Sequence, residues 1–204
     1  MGRKLGLIAI AALAVSLVAA APAAQARKKV VTKTYEVGVG APNGGLAIPI
    51  PDGAGQMTQL ARSVIHVKGL NPRGKIKHVN VGVRIQHPFA KDIEVYLASP
   101  RGVINLSHDV GGDGNNYGAG PASCAGTFTT FDSNTPTRID TPGLQAPFAG
   151  FFAPIESLNQ LTGLGDKKAT NAAWSLLVED DDNSHPAGTL ACWYLQIKTT
   201  NPNK

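Results

Sequence analysis

Between residues 75 and 87 the sequence KIKHVNVGVRIQH alternates. Val79, Val81, Val83 and Ile85 fall on one face; Asn80, Gly82, Arg84 and Gln86 fall on the other. A period of two with one apolar face marks a half-buried antiparallel strand. Ahead of Val79 the same period groups Ile76 with the polar set and Lys77 with the apolar one. The pattern recurs in SVIHVKG (63–69) and in DIEVYLAS (92–99), where Ile93, Val95 and Leu97 point inward and Asp92, Glu94 and Tyr96 outward. RGVINLS follows Ser99-Pro100-Arg101-Gly102, a hairpin-like turn. Near the end, WSLLVED and LACWYLQIKT form another pair, with Trp193, Leu195 and Ile197 opposing Cys192, Tyr194, Gln196 and Lys198. Trp174 and Trp193 therefore read as core. FAGFFAPIESLNQLTGLG breaks the period and predicts a loop with one helical turn around residues 155–161. Seven or eight short strands separated by Gly and Pro, present 23 and 14 times, predict an all-β sandwich of two sheets.

Composition changes this picture mainly at the start of the chain. MGRKLGLIAIAALAVSLVAAAPAAQA has a basic beginning, an uncharged apolar run and a small-x-small site at Ala24-Gln25-Ala26, the three parts of a secretory signal peptide. Residues 1–26 are expected to be that signal, residues 27–45 a basic arm or linker, 46–200 the sandwich and 201–204 a tail. Without Arg3 and Lys4 the basic excess over 14 acids is small, about +3, and basic residues are not interleaved with aromatics, so no nucleic-acid function is assigned. No segment beyond the signal is apolar enough to span a membrane, and the expected location is extracellular. Two cysteines in an oxidising compartment predict a Cys124–Cys192 disulfide.

Five blocks carry a resemblance. They are IPIPDGAG; VNVGVRIQHPFAKDIEVYLASPRG; VGGDGNNY with TFDSNT; PFAGFFAPIESLNQLTG; and AAWSLLVEDDDNSHPAGTLACWYLQI. In this order they resemble the P domain, or Homo B domain, that follows the catalytic domain in kexin- and furin-like proprotein convertases and in bacterial subtilisin-like serine proteases. The resemblance spans about residues 46–199. It implies a jelly-roll β-sandwich of about eight antiparallel strands with galactose-binding-like architecture. It also implies a non-catalytic module that stabilises or regulates a protease, with a secreted subtilisin-like protease or a cell-surface component as partner. Four positions depart from the family pattern: Ile93, Val103, Ser133 and Leu161. Ser133 removes a carboxylate that the family places after Phe131-Asp132.

The candidate chemistry is sparse. His66, His78, His87, His108 and His185 occur without a Gly-x-Ser-x-Gly elbow or another nucleophile context, so no catalytic residue is assigned. His87, where the family also has histidine, is expected to make a structural hydrogen bond. The enzymatic alternative is serine endopeptidase activity, carried by family association or by a cryptic hydrolase site. The segment SHDVGGDGNNYG fails as an EF-hand, since position 3 counted from Asp109 is Gly111 and position 12 is Gly120. Its Asp109, Asp113, Asn115 and Asn116 still offer hard oxygens, as do Asp132 and the run containing Asp180 and Asp181. The resemblance implies a structural calcium ion at loops of this kind. Sugar binding has no support at this level, because the alternation reveals no exposed aromatic platform.

Overall fold

A computed structural model describes residues 29–38, 45–53, 59–165, 169 and 172–201. The expected signal, most of the linker beyond residue 38 and residues 202–204 lie outside the described residues. Among the described residues ten strands pack as two sheets: β1 (Lys29–Val37), β2 (Ile48–Pro49), β3 (Ala61–His66), β4 (Ile76–Gln86), β5 (Ile93–Ser99), β6 (Gly102–Ser107), β7 (Thr129–Phe131), β8 (Gly150–Phe152), β9 (Ala173–Asp180) and β10 (Thr189–Asn201). The larger sheet runs β1-β10-β4-β7-β8 with β2 beside β10, and the smaller runs β3-β9-β5-β6. The all-β sandwich is as the alternation predicts. All pairings between these strands are antiparallel except β7 with β8.

The core lies between the sheets and is built from the period-two faces. Val79, Val81, Val83 and Ile85 of β4, Leu195 and Ile197 of β10, and Ile93, Val95 and Leu97 of β5 are all essentially buried, together with Trp174 and Trp193. The Trp193 indole N–H donates to Ser63 Oγ at 2.8 Å, joining the central strand of one sheet to the edge of the other. The sequence period misplaces one residue. Register shifts between Lys198 and Thr199, so that Thr199 pairs with Ile76 and Lys77 is skipped. This bulge turns Ile76 into the core and leaves Lys77 exposed.

A second difference concerns the basic arm. Lys29–Val37 is no free tail; it pairs along its whole length with β10, Lys29 opposite Asn201 and Val37 opposite Trp193. Tyr35 and Val37 pack against the core, and the Tyr35 hydroxyl donates to the Lys68 carbonyl at 2.6 Å. The Cys124–Cys192 disulfide is formed. It ties the loop after residue 118 to β10. The turn expected near residues 155–161 is a short 3-10 helix, Leu158–Leu161, capped by Ser157 Oγ accepting from the Asn159 N–H.

Candidate functional site

Antiparallel register decides which loops meet. The start of β5 lies beside the end of β9, with Ile93 opposite Asp180 and Glu94 opposite Glu179. The end of β6 lies on the other side of β5, with Ser107 opposite Val95. Three strand ends therefore bring residues 92–94, 107–109 and 179–182 to one corner. A cavity of about 420 Å³ there is lined by Lys91, Asp92, Asp109, Asp181 and Asp182. The Asp181 N–H donates to the Asp92 carbonyl at 3.0 Å, which fixes the two loops against each other.

The carboxylates crowd. Burial, followed by the negative charges of Asp109, Glu94 and Asp92, holds the Asp181 carboxyl above its ordinary value. Asp182 is held low instead, chiefly by hydrogen bonding with Ser184, whose N–H donates to Oδ1 at 2.8 Å. Histidines line the rim. His185 Nδ1 lies 2.9 Å from Asp92 Oδ2 and its ring packs on Phe89. His108 contacts Glu94 through Nδ1 and Asp109 through Nε2, the latter at 2.9 Å. The Tyr96 hydroxyl donates to Glu94, and burial together with that bond raises its pKa. Four carboxylates and Lys91 line the cavity, and the ligand atoms that converge within 4.8 Å at its edge form mixed carboxylate–imidazole sets, Asp92 with Asp182 and His185, and Glu94 with His108 and Asp109.

Of the residues singled out from the sequence, this corner gathers Asp109 and Asp181. Asp180 is adjacent but turned inward, its Oδ2 2.9 Å from His87 Nε2 with both side chains fully buried. His87 Nδ1 also lies 2.7 Å from the Phe89 carbonyl, so this histidine fastens the turn after β4. Asp113 is largely exposed and pairs with Lys91 at 3.2 Å. Asn115 Oδ1 accepts from Asn116, whose own Oδ1 accepts from the His87 N–H at 2.9 Å. Asp132 lies elsewhere, on the outer side of the larger sheet, 3.2 Å from His78. Asp92 and Asp182 were absent from the sequence-derived set. Alternation puts Asp92 on an outward face, and only the β5–β9 register shows what it faces.

One grouping bears on hydrolysis. Ser184 Oγ lies 3.3 Å from His185 Nδ1, and Asp92 Oδ2 lies 2.9 Å from the same nitrogen. A serine relay needs the hydroxyl and the carboxylate on opposite ring nitrogens. This trio does not provide that.

Residues 76–121 match the family model described as proprotein convertase P-domain. The matched stretch covers β4, β5, β6 and the loop beyond, so Asp92 and Asp109 of the corner lie inside it, while Asp181 and Asp182 come from β9 and its loop. Two solved structures are similar to the chain. The Aeromonas sobria serine protease and chaperone complex has 16% identity and a TM-score of 0.47, covering 85% of this chain and 27% of that one. The Aeromonas sobria serine protease has 16% identity and a TM-score of 0.40, covering 83% and 27%. The chain spans about a quarter of the length of those chains. No curated protein matches it.

Proposed function

We propose that the chain is an exported, non-catalytic accessory module of extracellular proteolysis, and that calcium at its acidic corner holds the strand-end loops in place. The P-domain match supports the module, since domains of that name are described by their association with proprotein convertases. The disulfide suits an oxidising compartment, and among the described residues no helix is long and apolar enough to cross a membrane. The observation that carries the calcium reading is the cavity lined by Asp92, Asp109, Asp181 and Asp182. Bound there, calcium supplies charge neutralisation, while the chain's own residues position the loops. Asp92 and Asp181 are already joined through the backbone; Asp182 follows in the same loop as Asp181, and Asp109 reaches the cavity from the loop after β6.

Melting the full chain with calcium and with chelator tests this. At a hundredfold excess over the dissociation constant, a single bound ion adds roughly 2.7 kcal/mol. Asp109→Asn and Asp181→Asn should each erase most of that gain. Identical melting in both buffers rejects the ion. For the module itself, immobilised protein should retain a subtilisin-like protease from culture supernatant. A serine-reactive probe that labels one serine covalently would replace the accessory reading with an enzymatic one.

A further inference from the structure

His185 stands in the loop between β9 and β10, at the edge of the acidic corner, and its Nδ1 faces three oxygens. Asp92 Oδ2 lies 2.9 Å away, Ser184 Oγ 3.3 Å and Asp182 Oδ2 3.7 Å. The nitrogen and the two carboxylate oxygens all fall within 4.8 Å of one another. A single ring nitrogen carries one proton at most and donates it to one oxygen. A cation placed among the three atoms serves them all. Ligands held about 2.1 Å from a tetrahedral centre stand about 3.4 Å apart. The two nitrogen–carboxylate separations, 2.9 and 3.7 Å, bracket that spacing. Calcium takes oxygens alone, at longer range; an imidazole nitrogen beside carboxylates suits zinc.

The surroundings hold each of these side chains in place, as the outer shell of a metal site must. Asp182 Oδ1 accepts from the Ser184 N–H at 2.8 Å, while Oδ2 faces His185. Asp92 is buried, and its carbonyl accepts from the Asp181 N–H at 3.0 Å. The His185 ring packs on Phe89 with centroids 3.9 Å apart. Behind Asp92, His87 supplies no further ligand, because its two nitrogens are committed to Asp180 and to the Phe89 carbonyl. Two carboxylates and a neutral imidazole balance the charge of a divalent ion. Lys91, which lines the adjoining cavity, is drawn to Asp113 at 3.2 Å. His185 and Asp182 are partly exposed, which gives an ion access. The cavity of about 420 Å³, lined also by Asp92 and Asp182, has room for water in a fourth position.

We propose that Asp92, Asp182 and His185 bind a zinc ion. The site shares two carboxylates with the calcium reading, but it is centred on His185 and needs neither Asp109 nor Asp181. The test is calorimetric titration of zinc into the untagged, metal-stripped full chain at about pH 7.5, where an ordinary imidazole is neutral. One zinc per chain is expected, and cobalt(II) in its place should give the intense visible absorption of a four-coordinate site. Loss of an outer-shell partner alone costs about tenfold in affinity, so His185→Ala and Asp182→Asn should each weaken zinc binding by at least that factor. Asp182, the more exposed of the two, keeps the test decisive should His185→Ala fail to fold. Asp109→Asn and Asp181→Asn should leave zinc binding unchanged. Absence of zinc binding overturns the proposal. So does binding that survives both His185→Ala and Asp182→Asn, which places the ion on another histidine. Binding lost only with Asp109→Asn and Asp181→Asn overturns it too, by placing the ion in the calcium cavity. The calcium reading fails separately, on melting that calcium leaves unchanged.

Discussion

Arg84 is fully buried on the polar face of β4, and its guanidinium donates to the carbonyls of Ala119, Pro121 and Thr127. Burial lowers its pKa, yet the planar fork still serves three acceptors from two separate nitrogens, a fixed spread that a single ammonium nitrogen lacks. The loop makes room for it: Gly126 has φ +106°, and a Cβ there would meet both the Ala119 carbonyl and the Arg84 guanidinium. Arg84→Met leaves these carbonyls without their donor and should cost on the order of 3 kcal/mol by urea denaturation, with Arg84→Lys recovering little of it. Asp181 yields a pH prediction. Its raised pKa means that folding favours the protonated acid. That stabilisation is complete below the unfolded-state value and is lost as pH rises through the folded-state value. Asp140 and Asp182, held low, act oppositely and lose their contribution only as pH falls further. Chelated protein should therefore melt higher near pH 5 than at about pH 7.5. Asp181→Asn or added calcium should flatten that slope; a slope unchanged by both would assign it to other groups.

Among the elements, β1 and the disulfide loop were the hardest to see in advance. RKKVVTK looks like a solvated tail because its charges dominate, but an edge strand needs only one half-buried face and backbone pairing. Tyr35 and Val37 provide the face and β10 provides the partner. Deleting residues 29–37 would leave β10 with a long unpaired edge, an invitation to intermolecular pairing. The truncated chain is expected to melt lower and to scatter light as it associates; monomeric behaviour with native melting would show β1 to be dispensable. β7 and β8, three residues each, are too short for periodicity to register. Their parallel pairing is what carries Phe151 to the same face as Tyr194.

The whole molecule is a two-sheet body crossed by a covalent link between residues 68 apart in sequence. On the chain-entropy account, closing a loop of that length restrains the unfolded chain by about 4 kcal/mol. Cys124→Ser with Cys192→Ser should lower stability by an amount of that order, measured by denaturation of the unreduced proteins, while leaving the sandwich folded. Retained stability would show that packing alone holds the loop after residue 118.

The chain's own pattern determined the class of fold, most strand positions, the two buried tryptophans and the pairing of the cysteines. Each of these follows from a local property, such as which neighbouring side chains are apolar or how many thiols an oxidising compartment contains. The tertiary structure alone decided that Asp92 meets Asp181, that Asp132 stands apart from both, and that Tyr194 lies over Gly82. Those contacts depend on register between strands separated by roughly ninety residues or more. A shift of one residue exchanges the two faces of a strand, and no period within a single strand records the offset of its partner.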